Sequence, residues 1–121
     1  MDITPIIPKG KQVLSGYGAG AFKINNESIS GSLLLLPDRA IAWDMQNFDP
    51  EHLQNLIPML EEIDILLVGT GKDITFIPPH IRMLFKEKNI AIDAMSTGAA
   101  CRTYNVLLSE ERRVAAALVA V

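Results

Sequence analysis

Three stretches of the chain, Leu33–Leu36, Ile63–Val68 and Val114–Val121, are apolar almost without interruption. A strand with one wet face alternates apolar and polar residues, whereas a strand covered on both faces loses that alternation. These runs leave no wet face, so they predict a sheet covered on both sides. Each is far shorter than the roughly 20 apolar residues that a membrane-spanning helix needs, and no membrane span is expected. Covering a sheet twice takes a layer of structure on each side. In 121 residues that implies a single domain over 1–121, large enough to bury a core.

The segments between the runs carry helix and turn signals. Asp49-Pro50 opens a helix, because Asp accepts hydrogen bonds from the first free N–H groups and Pro fits the first helical position. Leu53, Leu56, Ile57 and Leu60 recur at helical spacing, and Glu61-Glu62 end the segment. Gly69-Thr70-Gly71 terminates the middle run, and Ile74–Ile77 reads as a short strand. Pro78-Pro79 opens a second helix with Ile81, Leu84 and Phe85 on one face, and Asn89 suits a left-handed cap. Ile90–Met95 is the next strand, and Ser96-Thr97 caps a third helix that runs to about Ser109. From residue 49 onward the order is α-β-(β)-α-β-α-β, which predicts a largely parallel central sheet with helices against it. The first third differs. Turn formers Pro5, Pro8, Gly10, Gly16, Gly18 and Gly20 precede strands at Ala21–Ile24, Ser28–Leu33 and Ala40–Trp43, which together predict an antiparallel β unit. The fold class is mixed α/β.

Composition narrows function by exclusion. A net charge of −3 and 6% aromatic residues oppose a nucleic-acid role. The single Cys rules out a disulfide within the chain. Met1–Pro8 lacks a basic region and carries two prolines, so it is not read as a signal peptide. A cytoplasmic protein with a reduced thiol is expected.

In open α/β sheets, ligands bind beyond the carboxyl ends of the strands. The middle run ends in Gly69-Thr70-Gly71-Lys72-Asp73, and the strand at 90–95 ends in Ser96-Thr97-Gly98-Ala99-Ala100-Cys101-Arg102. As parallel neighbours joined by the Pro79 helix, the two strands would bring these loops to one rim. The second loop also opens a helix, whose free N–H groups attract anions. Lys72 and Arg102 add positive charge. Gly69, Thr70, Gly71, Lys72, Ser96, Thr97, Gly98 and Arg102 are therefore the candidate binding residues, suited to a small anion or carboxylate. The same residues have a plainer use, since glycines close tight turns and Ser-Thr caps a helix. A lone G-x-G is not a dinucleotide fingerprint, and no P-loop pattern is present.

No catalytic set stands out. Cys101 falls in the first turn of the third helix beside Arg102, where a thiol pKa is lowered. A catalytic Cys usually needs a His base, and neither His52 nor His80 has a fixed spacing to it, so a buried apolar role is favoured. Asp73 and Asp93 lie near strand ends and are the candidate acid–base carboxylates, with a half-exposed strand position the simpler account of Asp93. Trp43 and Phe48 flank Asp44-Met45, where they either line a partner-binding patch or join the core. Two His and one Cys form no metal-ligand set, and no motif requires a cofactor.

At Leu67-Val68-Gly69-Thr70-Gly71, at Pro78-Pro79-x-Ile81-Arg82, at Met95 through Leu107 and at Ala115-Ala116-Ala117-Leu118, the chain resembles a known family. It is similar to the small domain shared by the mitochondrial NADH:ubiquinone oxidoreductase (complex I) assembly factor three proteins and the adipogenesis-associated domain proteins, which has single-domain bacterial and archaeal relatives. The likeness covers roughly Gly20 to Val121. The resemblance implies a three-layer fold, with a mixed central sheet flanked by helices and an added N-terminal antiparallel β layer. It also implies a groove near the Gly69 loop and the Ser96–Arg102 turn, and it supplies no established catalytic residues to carry over. For the mitochondrial members it implies complex I assembly with a partner assembly factor. The absence of a presequence points instead to a bacterial cytoplasmic relative.

Two functions follow. One is a non-enzymatic interaction or assembly protein with a protein partner, serving respiratory complex I. The other is a small-molecule binding protein or enzyme that takes an anionic metabolite at the rim. Oligomeric state is open.

Overall fold

The alternation of Leu33 to Leu36 sorts the core. Leu34 and Leu36 face one buried cluster with Leu66, Val68, Ala115 and Ala117. Leu33 and Leu35 face a second with Leu67, Val114, Ala116 and Leu118. A sheet with two such clusters is the doubly covered sheet that the apolar runs predict. The computed structural model describes residues 12–121; Met1–Pro8 and the turn formers Pro5, Pro8 and Gly10 lie outside the described residues.

Among the described residues, eight strands form two sheets. Strands β1 (Leu14–Gly18), β2 (Ala21–Ile24) and β3 (Glu27–Ser30) make a three-stranded antiparallel sheet. Strands β4 (Leu33–Leu35), β5 (Ala40–Ala42), β6 (Ile65–Gly69), β7 (Ala91–Met95) and β8 (Val114–Leu118) make a five-stranded sheet in the order β5-β4-β8-β6-β7. Within it, β6 runs parallel to both β7 and β8, and β4 runs antiparallel to both β5 and β8. The first third of the chain is thus divided between two sheets rather than forming one unit. Burial explains the division. Leu33–Leu35 is buried throughout and needs cover on both faces, whereas β3 is mostly exposed. The Asn25-Asn26 turn that joins β2 to β3 has φ of 50° and 70°. Positive φ at both positions is the hairpin geometry that Asn tolerates best among non-glycine residues.

Helix α1 (Pro79–Glu87) links β6 to β7, and helix α2 (Thr97–Ser109) links β7 back past β6 to β8. The two crossovers travel in opposite directions along the sheet, so right-handed connections put their helices on opposite faces. The clusters show this arrangement. Ile81 and Phe85 of α1 pack with Leu53, Leu56 and Leu60 on one face. Ala100, Cys101, Tyr104 and Leu108 of α2 pack with Leu14, Phe22 and Ile24 of the small sheet on the other. The architecture is the three-layer mixed α/β fold with an added β layer.

Two local expectations are corrected. Pro50–Met59 is a 3-10 helix rather than an α-helix, capped by the Asp49 side chain on the Glu51 N–H. Pro58 lies inside it and removes a donor that an α-helical ladder would need. Ile74–Ile77 is not a strand. Among the described residues no neighbouring strand pairs with it, and only Ile77 is buried while residues 72–76 are exposed.

The buried Asn105 joins the two β layers through α2. Its amide donates to the Leu14 carbonyl at 2.7 Å and accepts the Leu14 N–H at 3.2 Å, closing the edge of β1 as a neighbouring strand would. Removing it leaves two buried backbone groups unpaired, each worth about 1–3 kcal/mol. Asn105→Ala should therefore lower the unfolding free energy by about 2–6 kcal/mol in urea denaturation, and a loss below about 0.5 kcal/mol, the usual scale of a surface change, would contradict this role.

Candidate functional site

The two loops singled out in the sequence meet. Gly69 and Met95 end adjacent parallel strands in register, and the chain leaves them for opposite faces, through α1 and α2. This is the topological switch point where doubly wound sheets commonly hold ligands. Here the loops bond to each other across the crevice. The Thr97 N–H donates to the Gly71 carbonyl at 2.8 Å, and the Gly71 N–H donates back to Thr97 Oγ1 at 3.0 Å. Thr97 Oγ1 in turn donates to the Val119 carbonyl at 2.7 Å, beyond the end of β8. The Val119 N–H donates to the Gly69 carbonyl at 2.9 Å. One buried hydroxyl thus ties the ends of β6, β8 and α2.

The glycines at this joint are dictated by contact. A Cβ on Gly69 would lie 2.9 Å from Thr97 Cα and 3.0 Å from a Leu118 methyl, closer than side chains pack. A Cβ on Gly98 would run into the Tyr17 hydroxyl, which β1 holds over the first turn of α2. Gly71 has φ of 113°, a backbone that favours glycine. Thr70 performs the same service for its own loop. Its hydroxyl donates to the Asp73 carbonyl at 2.7 Å and accepts the Thr75 N–H at 3.0 Å. Ser96 Oγ caps α2 on the Ala99 N–H at 3.4 Å. Lys72 and Arg102 are exposed, one in the loop and one on the outer side of α2.

A family model described as "Protein of unknown function (DUF498/DUF598)" matches residues 14–119. The chain belongs to this family. An uncharacterised protein of Rhodobacter capsulatus is 38% identical over 109 residues, which cover 90% of this chain and 85% of that one. The NADH dehydrogenase [ubiquinone] 1 alpha subcomplex assembly factor 3 of Xenopus tropicalis is 33% identical over 106 residues, 85% of this chain and 58% of its own length. The chain thus spans less than two thirds of that assembly factor. Among solved structures, one described as an outer membrane protein from Bartonella henselae is 39% identical, covers 93% of this chain and 97% of its own, and superposes with a TM-score of 0.83. The Rpa2829 protein from Rhodopseudomonas palustris is 40% identical, covers 99% of this chain and 90% of its own, and gives 0.79.

Within this family fold, the remaining candidate residues are spread apart. Cys101 is fully buried under α2, while His52 and His80 sit on the 3-10 helix and α1, across the sheet. No thiol–imidazole pair forms. Cys101 is in the second turn of α2, not the first, and burial pushes its thiol up to about 12 despite the opposing Arg102 charge. His80 Nε2 meets the Glu51 carboxylate at 2.6 and 2.8 Å, an exposed contact between α1 and the 3-10 helix worth under about 1 kcal/mol. Asp73 and Asp93 are exposed, and Trp43 and Phe48 are half-buried against the α1-side core. Among the described residues no group of three or more His, Cys, Asp or Glu is placed to hold a metal ion. A cavity of about 550 Å³ lies away from the rim, between Ile57, Leu60, Ile63 and Ile90 at the amino ends of the strands.

The feature that sequence reasoning missed is in the loop between the rim and α1. Phe76 is 76% exposed and Ile74 49%, followed in α1 by Met83 at 53%. Their alternation with Thr75 reads as a strand, and only the absence of a pairing partner reveals them as surface.

Cys101 supplies a pH test. Its thiol keeps its proton more tightly folded than unfolded, so its contribution is fully present below about pH 9 and is lost as pH rises toward about 12. Stability measured in urea should fall more steeply over that window in the wild type than in Cys101→Ala. Equal slopes would mean that the thiol is accessible.

Proposed function

We propose that this protein is a non-enzymatic assembly or interaction protein, acting from the cytoplasm on respiratory complex I or its precursors. The observation that carries the reading is the exposed Phe76 with Ile74 beside it. Burying a phenylalanine side chain is worth about 1.5–3 kcal/mol, and aromatic anchors dominate protein interfaces. Leaving one in water on a loop whose backbone is pinned by Thr70 favours a surface prepared for a partner. The relatives named as assembly factors support the same class of role. No helix among the described residues is long and apolar enough to cross a membrane, so contact with a membrane complex would be made through such a surface.

An anion seat at the rim has weaker support. The hydroxyls of Thr70 and Thr97 are already bonded within the protein, and Tyr17 covers Gly98. A ligand that displaced the Thr97 bonds would have to make good about 1–3 kcal/mol for each buried group it orphaned.

Tagged protein should co-purify with complex I subunits from detergent-solubilised membranes, and Phe76→Ser should abolish capture while changing stability by less than about 0.5 kcal/mol. Failure to retrieve any complex I component, together with normal NADH oxidation in a deletion strain, would sink the proposal.

A further inference from the structure

The five-stranded sheet ends on β7, and the pairing of β7 shows which of its backbone groups face outward. The Ala91 N–H donates to the Asp64 carbonyl at 2.8 Å, and the Met95 carbonyl accepts the Thr70 N–H at 2.9 Å. Ala91, Asp93 and Met95 therefore turn their main-chain groups toward β6, and the two-residue period turns those of Ile92 and Ala94 away from it. One protein group meets them: Arg82 Nη1 donates to the Ile92 carbonyl at 3.0 Å. The N–H groups of Ile92 and Ala94 and the Ala94 carbonyl have no partner among the described residues. Sheets normally protect such an edge with a proline, a bulge, a short strand or a covering group. β1 is covered in that way at Leu14 by Asn105. β7 is five residues long, without proline, and in unbroken register with β6.

A cavity of about 450 Å³ runs beside this edge, lined by Arg82, Lys86, Asn89, Ile90, Ala91 and Ile92. Its charged lining is two cations and no carboxylate, and neither cation is in an ion pair among the described residues. We propose that β7 receives an extended, acidic segment of a partner protein as a sixth strand. The N–H groups of Ile92 and Ala94 would bind its main chain, and Arg82 and Lys86 its carboxylates. A carbonyl oxygen has two lone pairs and a guanidinium five donors, so Arg82 can keep the Ile92 carbonyl while binding a carboxylate. A second copy of this chain would set the same two cations against each other, which opposes self-pairing. The proposal goes beyond the Phe76 reading and does not rest on it: the edge lies along the flank of α1, and the Phe76 loop precedes that helix.

The test is an NMR titration of the ¹⁵N-labelled full chain with a blocked eight-residue peptide of alternating Glu and Val, against a Lys–Val control. Shifts and slowed amide exchange should centre on Ile92 and Ala94 with the Glu–Val peptide only. Arg82→Glu combined with Lys86→Glu should weaken it at least about tenfold and admit the Lys–Val peptide instead. Ile92→Pro removes an outward N–H that the β6 ladder does not use, and should weaken binding while a melting curve reports that the fold is kept. Binding of both peptides alike, shifts away from β7, no binding at millimolar peptide, or self-association through β7 in sedimentation would each overturn the proposal. The double charge reversal leaves Phe76 in place, so loss of peptide binding and loss of complex I capture can be told apart.

Discussion

How closely the start of α2 approaches the ends of β6 and β8 governs the rest of the structure. Gly69 without a Cβ lets the Thr97 backbone sit against the strand, and the Thr97 hydroxyl then bonds Gly71 and Val119 together. Ala115, Ala116 and Ala117 act similarly in the middle of the sheet, being small enough for cover to lie close on both faces of β8. The joint fixes where α2 begins. That fixes where Tyr104 and Asn105 land, both about two turns later, against the Leu36 carbonyl and Leu14. The packing of the added β layer therefore depends on geometry set at the opposite end of α2. Burial pushes the Tyr104 hydroxyl well above its ordinary range, with the nearby Asp38 charge adding to the effect, as expected of a phenol held dry between layers.

Most of this fold is legible in the sequence because its signals are local and physical. Continuous apolar runs mark β4, β6 and β8, Asp49-Pro50 and Pro78-Pro79 mark helix starts, and Ser96 caps α2 on the Ala99 N–H. Asn89 is left-handed as its side chain allows, with φ of 60°. The misreadings occur where a tertiary fact decides. Ile74–Ile77 has the alternation of a strand, but a strand exists only with a neighbour. The spacing of Leu53, Leu56 and Leu60 is served by a 3-10 helix once Pro58 is inside it. Whether Leu33 belongs with β3 or begins a strand of the other sheet depends on what covers it, which no local pattern states.

The candidate site was legible as a place but not as a chemistry. Glycines, threonines and a helix start at two strand ends describe an anion cradle and a tight structural joint equally well. The two differ only in where the hydroxyls point, and here Thr97 Oγ1 points at Val119 across 22 residues of chain. That partner lies at the end of the final apolar run, in a segment that carries no polar side chain to advertise it. Cys101 shows the same limit from another side. Its neighbour Arg102 suggests a lowered thiol pKa, and burial overrides that charge.

At the switch point, where this architecture usually holds ligands, the Thr70 and Thr97 hydroxyls are already bonded within the protein. The proposed recognition uses surfaces that the packing does not need. The sheet order determines which these are. β8, β6 and β4 are interior and committed, β1 is covered at Leu14 by Asn105, and the small sheet leans on the core through Leu14, Phe22 and Ile24. The two proposed surfaces lie on the flank of α1: the loop that carries Phe76 before it, and β7 with Arg82 and Lys86 beside it. Both surfaces belong to the crossover from β6 to β7, whose start at Gly71 the joint holds. The tightness at Thr97 and the openness along α1 are therefore two consequences of the same chain path, which sends β6 outward to β7 and returns it through α2 to the centre.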